Sequence, residues 1–187
     1  RKTYLTNADN AAELGDFTFS TWVKFLSGQS DNSSIFTRTD ATLASNVTQG
    51  FTVNITGTGT VRVGDFNTTN SPTTTTNLAA NEWSNVVVTY TASSNTYELY
   101  INGANVPLTS NGTNRDLTTI ACGPYAYVGA APGALGTPTY NNYYLSECYF
   151  VDGQILEPSV FGQTNSDTQT WVPKSGTVVK ADIGSFG

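Results

Sequence analysis

Between Phe17 and Phe25 the residues alternate in polarity, so that Phe17, Phe19, Val23 and Phe25 share one face of an extended strand and Thr18, Ser20, Trp22 and Lys24 the other. A strand of this kind must find a second layer to cover its apolar face. The same period returns along the chain. Phe51, Val53 and Ile55 alternate with Thr52, Asn54 and Thr56, after which Gly57-Thr58-Gly59 reads as a hairpin turn into Val61-Arg62-Val63. Asn81-Glu82-Trp83 leads into Val86, Val88 and Tyr90, with Val87 on the opposite face; this strand is expected to be central and covered on both sides. Tyr97, Leu99 and Ile101 alternate with Thr96, Glu98 and Tyr100 as far as Asn102-Gly103, a pair suited to a two-residue turn with positive φ at both positions.

Further strands are expected at Ile35-Phe36, from Ala104 to Leu108, from Tyr125 to Val128 and from Tyr143 to Val151. Thr73 to Thr76, after Pro72, read as an exposed polar loop, and the Gly-, Pro- and Ala-rich run from Gly129 to Pro138 as a connection. Pro158 to Phe161 is the one place for a helix, of one or two turns. Helix is scarce elsewhere because only 12% of residues are charged and no apolar residues recur at helical spacing over several turns. With 187 residues and short strands separated by turn residues, the expectation is all-β: one antiparallel sandwich with one core.

Charge narrows the partners. A net charge of −6 with 8 Lys+Arg lacks the clustered cations that phosphate neutralisation needs, which argues against nucleic acid and against anionic membranes. No apolar run approaches the roughly 20 residues of a membrane span, and Arg1-Lys2-Thr3 is not followed by a signal-peptide core. A start at Arg1 rather than Met suggests a processed or ordered portion of something longer. Cys122 and Cys148 are compatible with one inter-strand bridge or with two small buried side chains, and without His they make no zinc site. Asn32, Asn46, Asn54, Asn67 and Asn111 stand in Asn-x-Ser/Thr sequons, which a chain so rich in Asn and Thr contains by chance.

Three segments together resemble the laminin-G-like jelly-roll domains of concanavalin A-like architecture: Phe17 to Lys24, Glu82 to Tyr90, and Tyr97 to Gly103. The resemblance covers most of Phe17 to Phe161 and implies an antiparallel jelly-roll β-sandwich. On it, residues 1–187 are one laminin-G-like domain with its core at about 17–161 and a C-terminal extension at 162–187. A second likeness lies in Tyr144 to Gln154, Leu156 to Thr164, Asp167-Thr168 and Trp171 to Lys174, which are similar to a tail seen in laminin-G-like proteins of marine bacteriophages, cyanophages especially. In those proteins the tail closes the jelly roll and leads into a further strand, of which Ile183 to Gly187 look like a truncated beginning; Arg1-Lys2-Thr3 echoes a run near that family's start. This implies a protein of the virion surface. Beside the likeness, Trp83 and Phe161 read as buried fold-forming aromatics, Phe161 plugging one end of the sandwich.

Related folds include glycan hydrolases, whose retaining chemistry needs two carboxylates about 5–5.5 Å apart on one face. Glu147 and Asp152, and Asp152 and Glu157, are separated by odd spacings that send them to opposite faces, and no Glu-x-Asp or Glu-x-Glu occurs. Without His, the usual Ser-His-Asp and Cys-His sites cannot form, so no catalytic residues are expected. Tyr140, Asn141, Asn142, Tyr143 and Tyr144 combine aromatic faces with amides and are the glycan-binding candidates; the run also reads as an Asn-rich turn with Tyr140 or Tyr143 packed on the sandwich edge. No cofactor is expected; calcium is open through Asp31, Asp40 and Asp65, though no ligand-spaced run supports it. The expected role is a non-catalytic phage fibre or adhesin domain that recognises host surface glycan. The alternative is a capsid or tail decoration protein contacting other virion proteins. Homo-oligomers suit either role, since repeated copies strengthen weak binding through avidity.

Overall fold

The computed structural model describes residues 14–26, 33–40, 50–65, 71–109, 117–119, 122–123, 125–131, 139–140 and 143–184. The alternating segments form β1 (Phe17–Phe25), β6 (Trp83–Thr91), β7 (Thr96–Ile101), β8 (Ala104–Asn105) and β13 (Tyr143–Asp152), a five-stranded sheet in the order β13-β1-β6-β7-β8. The second sheet has six strands, β2 (Ser33–Thr39), β3 (Gly50–Ile55), β4 (Thr60–Asp65), β5 (Thr73–Asn77), β9 (Leu108–Thr109) and β10 (Tyr125–Val128), in the order β10-β2-β3-β4-β5-β9. Neighbours pair antiparallel throughout both sheets. The architecture is the expected all-β jelly-roll sandwich. The Asn102-Gly103 turn has φ of 50° and 80°, as its sequence requires.

Between the sheets lies one continuous core. Phe17, Phe19, Val23 and Phe25 of β1 and Val86, Val88 and Tyr90 of β6 face Ile35, Phe36, Phe51, Val53, Ile55, Val61 and Val63 from the opposite sheet. Phe17 is its hub: its ring meets Phe51 edge-on at 4.9 Å and stacks on Tyr90 at 5.5 Å and Phe150 at 5.3 Å. Phe36 stacks on Phe19 and on Phe150, so aromatic contacts cross the interface repeatedly. Such pairs add about 0.5–1.5 kcal/mol each beyond area burial and favour one relative placement of the sheets.

Behind the five-stranded sheet is a third layer. The outward row of β6 includes Val87, as its sequence phase requires, and Val87 is buried against Val151, Phe161, Val179 and Ile183. The chain after β13 supplies the cover. The Thr18 hydroxyl donates to the Gln154 carbonyl at 2.8 Å and accepts from the Leu156 amide at 2.9 Å, fastening the tail where it leaves the sheet. Pro158–Val160 form a single 3-10 turn, β14 (Gly162–Thr164) pairs with β15 (Trp171–Pro173), and α1 (Gly176–Ile183) follows. The Ser175 hydroxyl accepts from the Val178 amide at the start of α1, while Val179 and Ile183, one turn apart, turn inward. Trp171 lies over Gly103 and Gly162, where an added Cβ would fall 2.7 Å and 2.4 Å from its ring.

Several expectations are corrected. Ile183 ends a helix and does not begin a strand, because it and Val179, one turn earlier, cover Val87. Phe161 covers the outside of a sheet and plugs no end of the sandwich. Thr73–Asn77 form β5, paired with β4 and β9, since the β-branched Thr side chain suits a strand even without apolar neighbours. The strand expected from Ala104 to Leu108 is interrupted at Val106-Pro107, where the missing proline N–H accompanies a switch between sheets: β8 belongs to one and β9 to the other. A final pair, β11 (Ala130–Ala131) and β12 (Thr139–Tyr140), stands apart from the main sheets.

If the tail is an integral layer, Phe161→Ala will destabilise the protein by about 3–5 kcal/mol, as for a buried core phenylalanine. Urea unfolding measures this. A loss below about 0.5 kcal/mol, the range of exposed positions, would show the tail to be loosely attached.

Candidate functional site

Of the five glycan-binding candidates, Asn141, Asn142 and the Tyr140 side chain lie outside the described residues; the Tyr140 backbone pairs with Ala130. Tyr143 and Tyr144 are consecutive in β13 and point to opposite faces. Tyr143 packs against the core and its hydroxyl donates to the Ser34 carbonyl, which makes it a strut between the sheets. Tyr144 points outward and is 59% exposed.

The strand register gives Tyr144 companions that lie far away in sequence. Lys24 of β1 is opposite Tyr144 on one side and Trp83 of β6 on the other. Tyr144, Lys24 and Trp83 therefore form one row across three adjacent strands on the outer face of the five-stranded sheet. Trp83 is 45% exposed, so it is no buried fold-forming residue. The tail reaches Val87 and, through Trp171, Asn85, whose side-chain oxygen accepts from the Trp171 indole N–H at 3.2 Å. Among the described residues its cover stops one row short of Trp83.

The next row holds Asn85, Trp22 and Ser146. The Asn85 amide nitrogen donates to Ser20 and to the Thr21 carbonyl, and its backbone amide donates to the Asn102 side chain. Trp22 is 6% exposed, and its indole N–H finds no acceptor among the described residues. The ion pairs formed among the described residues, Arg38 with Asp152 and Lys174 with Asp182, leave Lys24 out.

The outer side of the six-stranded sheet differs. Ser34, Thr37, Thr52 and Asn54 are buried, and their side chains satisfy one another: Ser34 and Thr52 each donate to the Asn54 oxygen at 2.7 Å, with Thr37 and Thr52 3.4 Å apart. Tyr125 and Tyr127 stack beside this network, and Tyr127 is buried. Such hydroxyls are engaged within the fold.

Glu147 and Asp152 do not converge. Glu147 adopts φ of 49° at a bulge in β13, where the register against β1 slips. Its carboxylate accepts from the Tyr149 hydroxyl and lies near Gly176 at the start of α1, where the helix dipole favours a negative charge. Asp152 instead reaches the Arg38 guanidinium at 3.8 Å at the end of the sandwich. The expected separation of these two groups to opposite faces holds.

Cys122 is a buried thiol and Cys148 an exposed one, so the bridge left open by the sequence is not made. Of the calcium candidates, Asp31 and the Asp65 side chain lie outside the described residues, and the Asp40 carboxylate accepts from the Thr39 hydroxyl. Among the described residues no three acidic, His or Cys side chains gather as metal ligands. No helix there is long and apolar enough to cross a membrane.

Comparison with known proteins gives this sandwich its kinship. The profile of the laminin G family described as the concanavalin A-like lectin/glucanases superfamily matches residues 1–169, and the chain belongs to that family. Among solved structures, the CBM40 module of the Ruminococcus gnavus IT-sialidase, bound to α2,3-sialyllactose, is similar with a TM-score of 0.63 at 16% identity, over 85% of this chain and 92% of that one. The NanB sialidase of Streptococcus pneumoniae is similar at TM-score 0.61 and 14% identity over 86% of this chain, which spans 27% of that enzyme. A heptameric SAP-like pentraxin of Limulus polyphemus matches at TM-score 0.54 and 13% identity, over 83% of this chain and 72% of its own. Among curated proteins no sequence match was found.

Tyr149 offers a test of the tail interface. Burial, then the hydrogen bond to Glu147 and its negative charge, push this phenol from the ordinary 10.0 up to about 12. Below pH 10 it is protonated in folded and unfolded chains alike. As pH rises from 10 toward 12 only the unfolded form ionises, so its contribution to stability is lost across that window. Phenolate absorbance should show late-titrating tyrosines, Tyr100 among them, and Glu147→Gln should move the Tyr149 component part of the way back, because burial remains.

Proposed function

We propose that this domain is a non-catalytic glycan-binding module carried on a phage virion surface, where it serves as a fibre or adhesin domain that recognises host surface glycan. The supporting observation is the Tyr144-Lys24-Trp83 row: large aromatic side chains exposed on a rigid sheet, at the boundary where the chain's own tail stops covering it. Aromatic faces pack against the C–H faces of sugars, and a fixed sheet lowers the entropic cost of binding. The fold match over nearly all of a sialidase's carbohydrate-binding module, itself bound to a sialylated sugar, supports the same reading. The separated positions of Glu147 and Asp152 favour binding over hydrolysis. The virion setting rests on the likeness of Tyr144 to Lys174 to marine-phage tails. Such a surface binds weakly as a single copy and gains strength from multiplicity.

The test is a glycan array probed with the domain displayed as a multivalent assembly. Retention on a restricted set of glycans is expected, with no shortening of those glycans on prolonged incubation. Stoichiometric binding to capsid or tail subunits with no glycan retained would instead support a decoration protein, and cleavage of array sugars would overturn the non-catalytic reading.

A further inference from the structure

We infer that the exposed row binds an extended acidic sugar chain through an internal uronic acid residue, with Trp83 and Tyr144 under the flanking sugars and Lys24 under the carboxylate. This rests on the glycan-binding reading and adds the site and the ligand class. Adjacent strands lie about 5 Å apart, so Trp83 and Tyr144, two strands apart, are separated by about 10 Å with Lys24 midway. The residue repeat of an extended pyranose chain is of the same order as the strand spacing. A chain running across the strands therefore places its first and third sugars over the rings and its second over the ammonium.

Charge selects the middle sugar. The chain as a whole is acidic, at −6, yet Lys24 stands between two exposed rings and forms no ion pair among the described residues. A carboxylate on the ligand supplies the missing partner. Neighbouring polar groups are committed elsewhere: Asn85 to Trp171, Ser20, Thr21 and Asn102, and Glu147 to Tyr149. In the adjacent row the enclosed indole N–H of Trp22 and the exposed Ser146 hydroxyl are left over. The tail fixes the length of the site, because Trp171 occupies the ground over Asn85 and confines a ligand to the single uncovered row.

The test is calorimetric titration with a galacturonate trisaccharide and with a neutral linear trisaccharide. The wild-type protein should prefer the uronate, and added salt should erase the preference. Trp83→Ala and Tyr144→Ala should each lower affinity by roughly tenfold, with thermal stability close to wild type because both side chains are exposed. Trp83→Phe, which keeps a ring, should retain binding. Lys24→Gln should cost the uronate about two- to fivefold, the scale of an exposed ion pair, and leave the neutral sugar unchanged. Folded row variants that bind the uronate as the wild type does would overturn the inference while leaving the glycan-binding reading intact. So would an array that yields ligands while the uronate is ignored, as with preference for a terminal sialic acid held elsewhere. Binding to no glycan at all would overturn both.

Discussion

Three successive valines in β6 set the constraint on which the molecule is built. In a pleated strand Val86 and Val88 enter the sandwich and Val87 is left on the outside. An uncovered apolar strip at the middle of a sheet invites association. The chain answers with its own C-terminal segment, which sets Phe161, Val179 and Ile183 on Val87 and Val151 and is fastened by Thr18 and Trp171. The sandwich thus has a back layer, and the edge of that layer determines what remains open.

The proposed binding face lies where the cover stops. Beyond Asn85 the outer face carries Trp83, Lys24 and Tyr144 without an overlying segment among the described residues. On the six-stranded sheet, hydroxyls and the Asn54 amide are buried and consumed by one another, which stiffens the fold but offers little to a ligand. Glu147 and Asp152 also serve structural ends: Glu147 sits at the junction with α1, and Asp152 pairs with Arg38.

The period-two pattern made β1, β3, β6 and β7 legible, and Asn102-Gly103 announced its own turn, because these features depend on nearest neighbours in sequence. Features set by distant contacts were hidden. The likeness to phage tails puts the start of a strand at Ile183, whereas the chain forms a helix whose Val179 and Ile183 cover Val87. The Thr run of β5 has no apolar alternation to reveal it, and Pro107 gives no hint of which sheet each flank will join. Part of the site was visible in Tyr144, but not its separation from Tyr143, although alternation alone would have put the two on opposite faces. Trp83 and Lys24 were missed as site residues because strand register, which brings them beside Tyr144, cannot be read from any single segment.

The three tryptophans, Trp22, Trp83 and Trp171, provide the most direct measurement, since each indole N–H gives its own resonance in a nitrogen-labelled sample. Titration with a bound oligosaccharide should move the Trp83 indole and the amides around Lys24 and Tyr144, while the Trp171 indole, held on Asn85 beneath the tail, stays in place. Shifts confined to Thr37, Thr52 and Tyr125 on the other sheet, with Trp83 unmoved, would contradict the account.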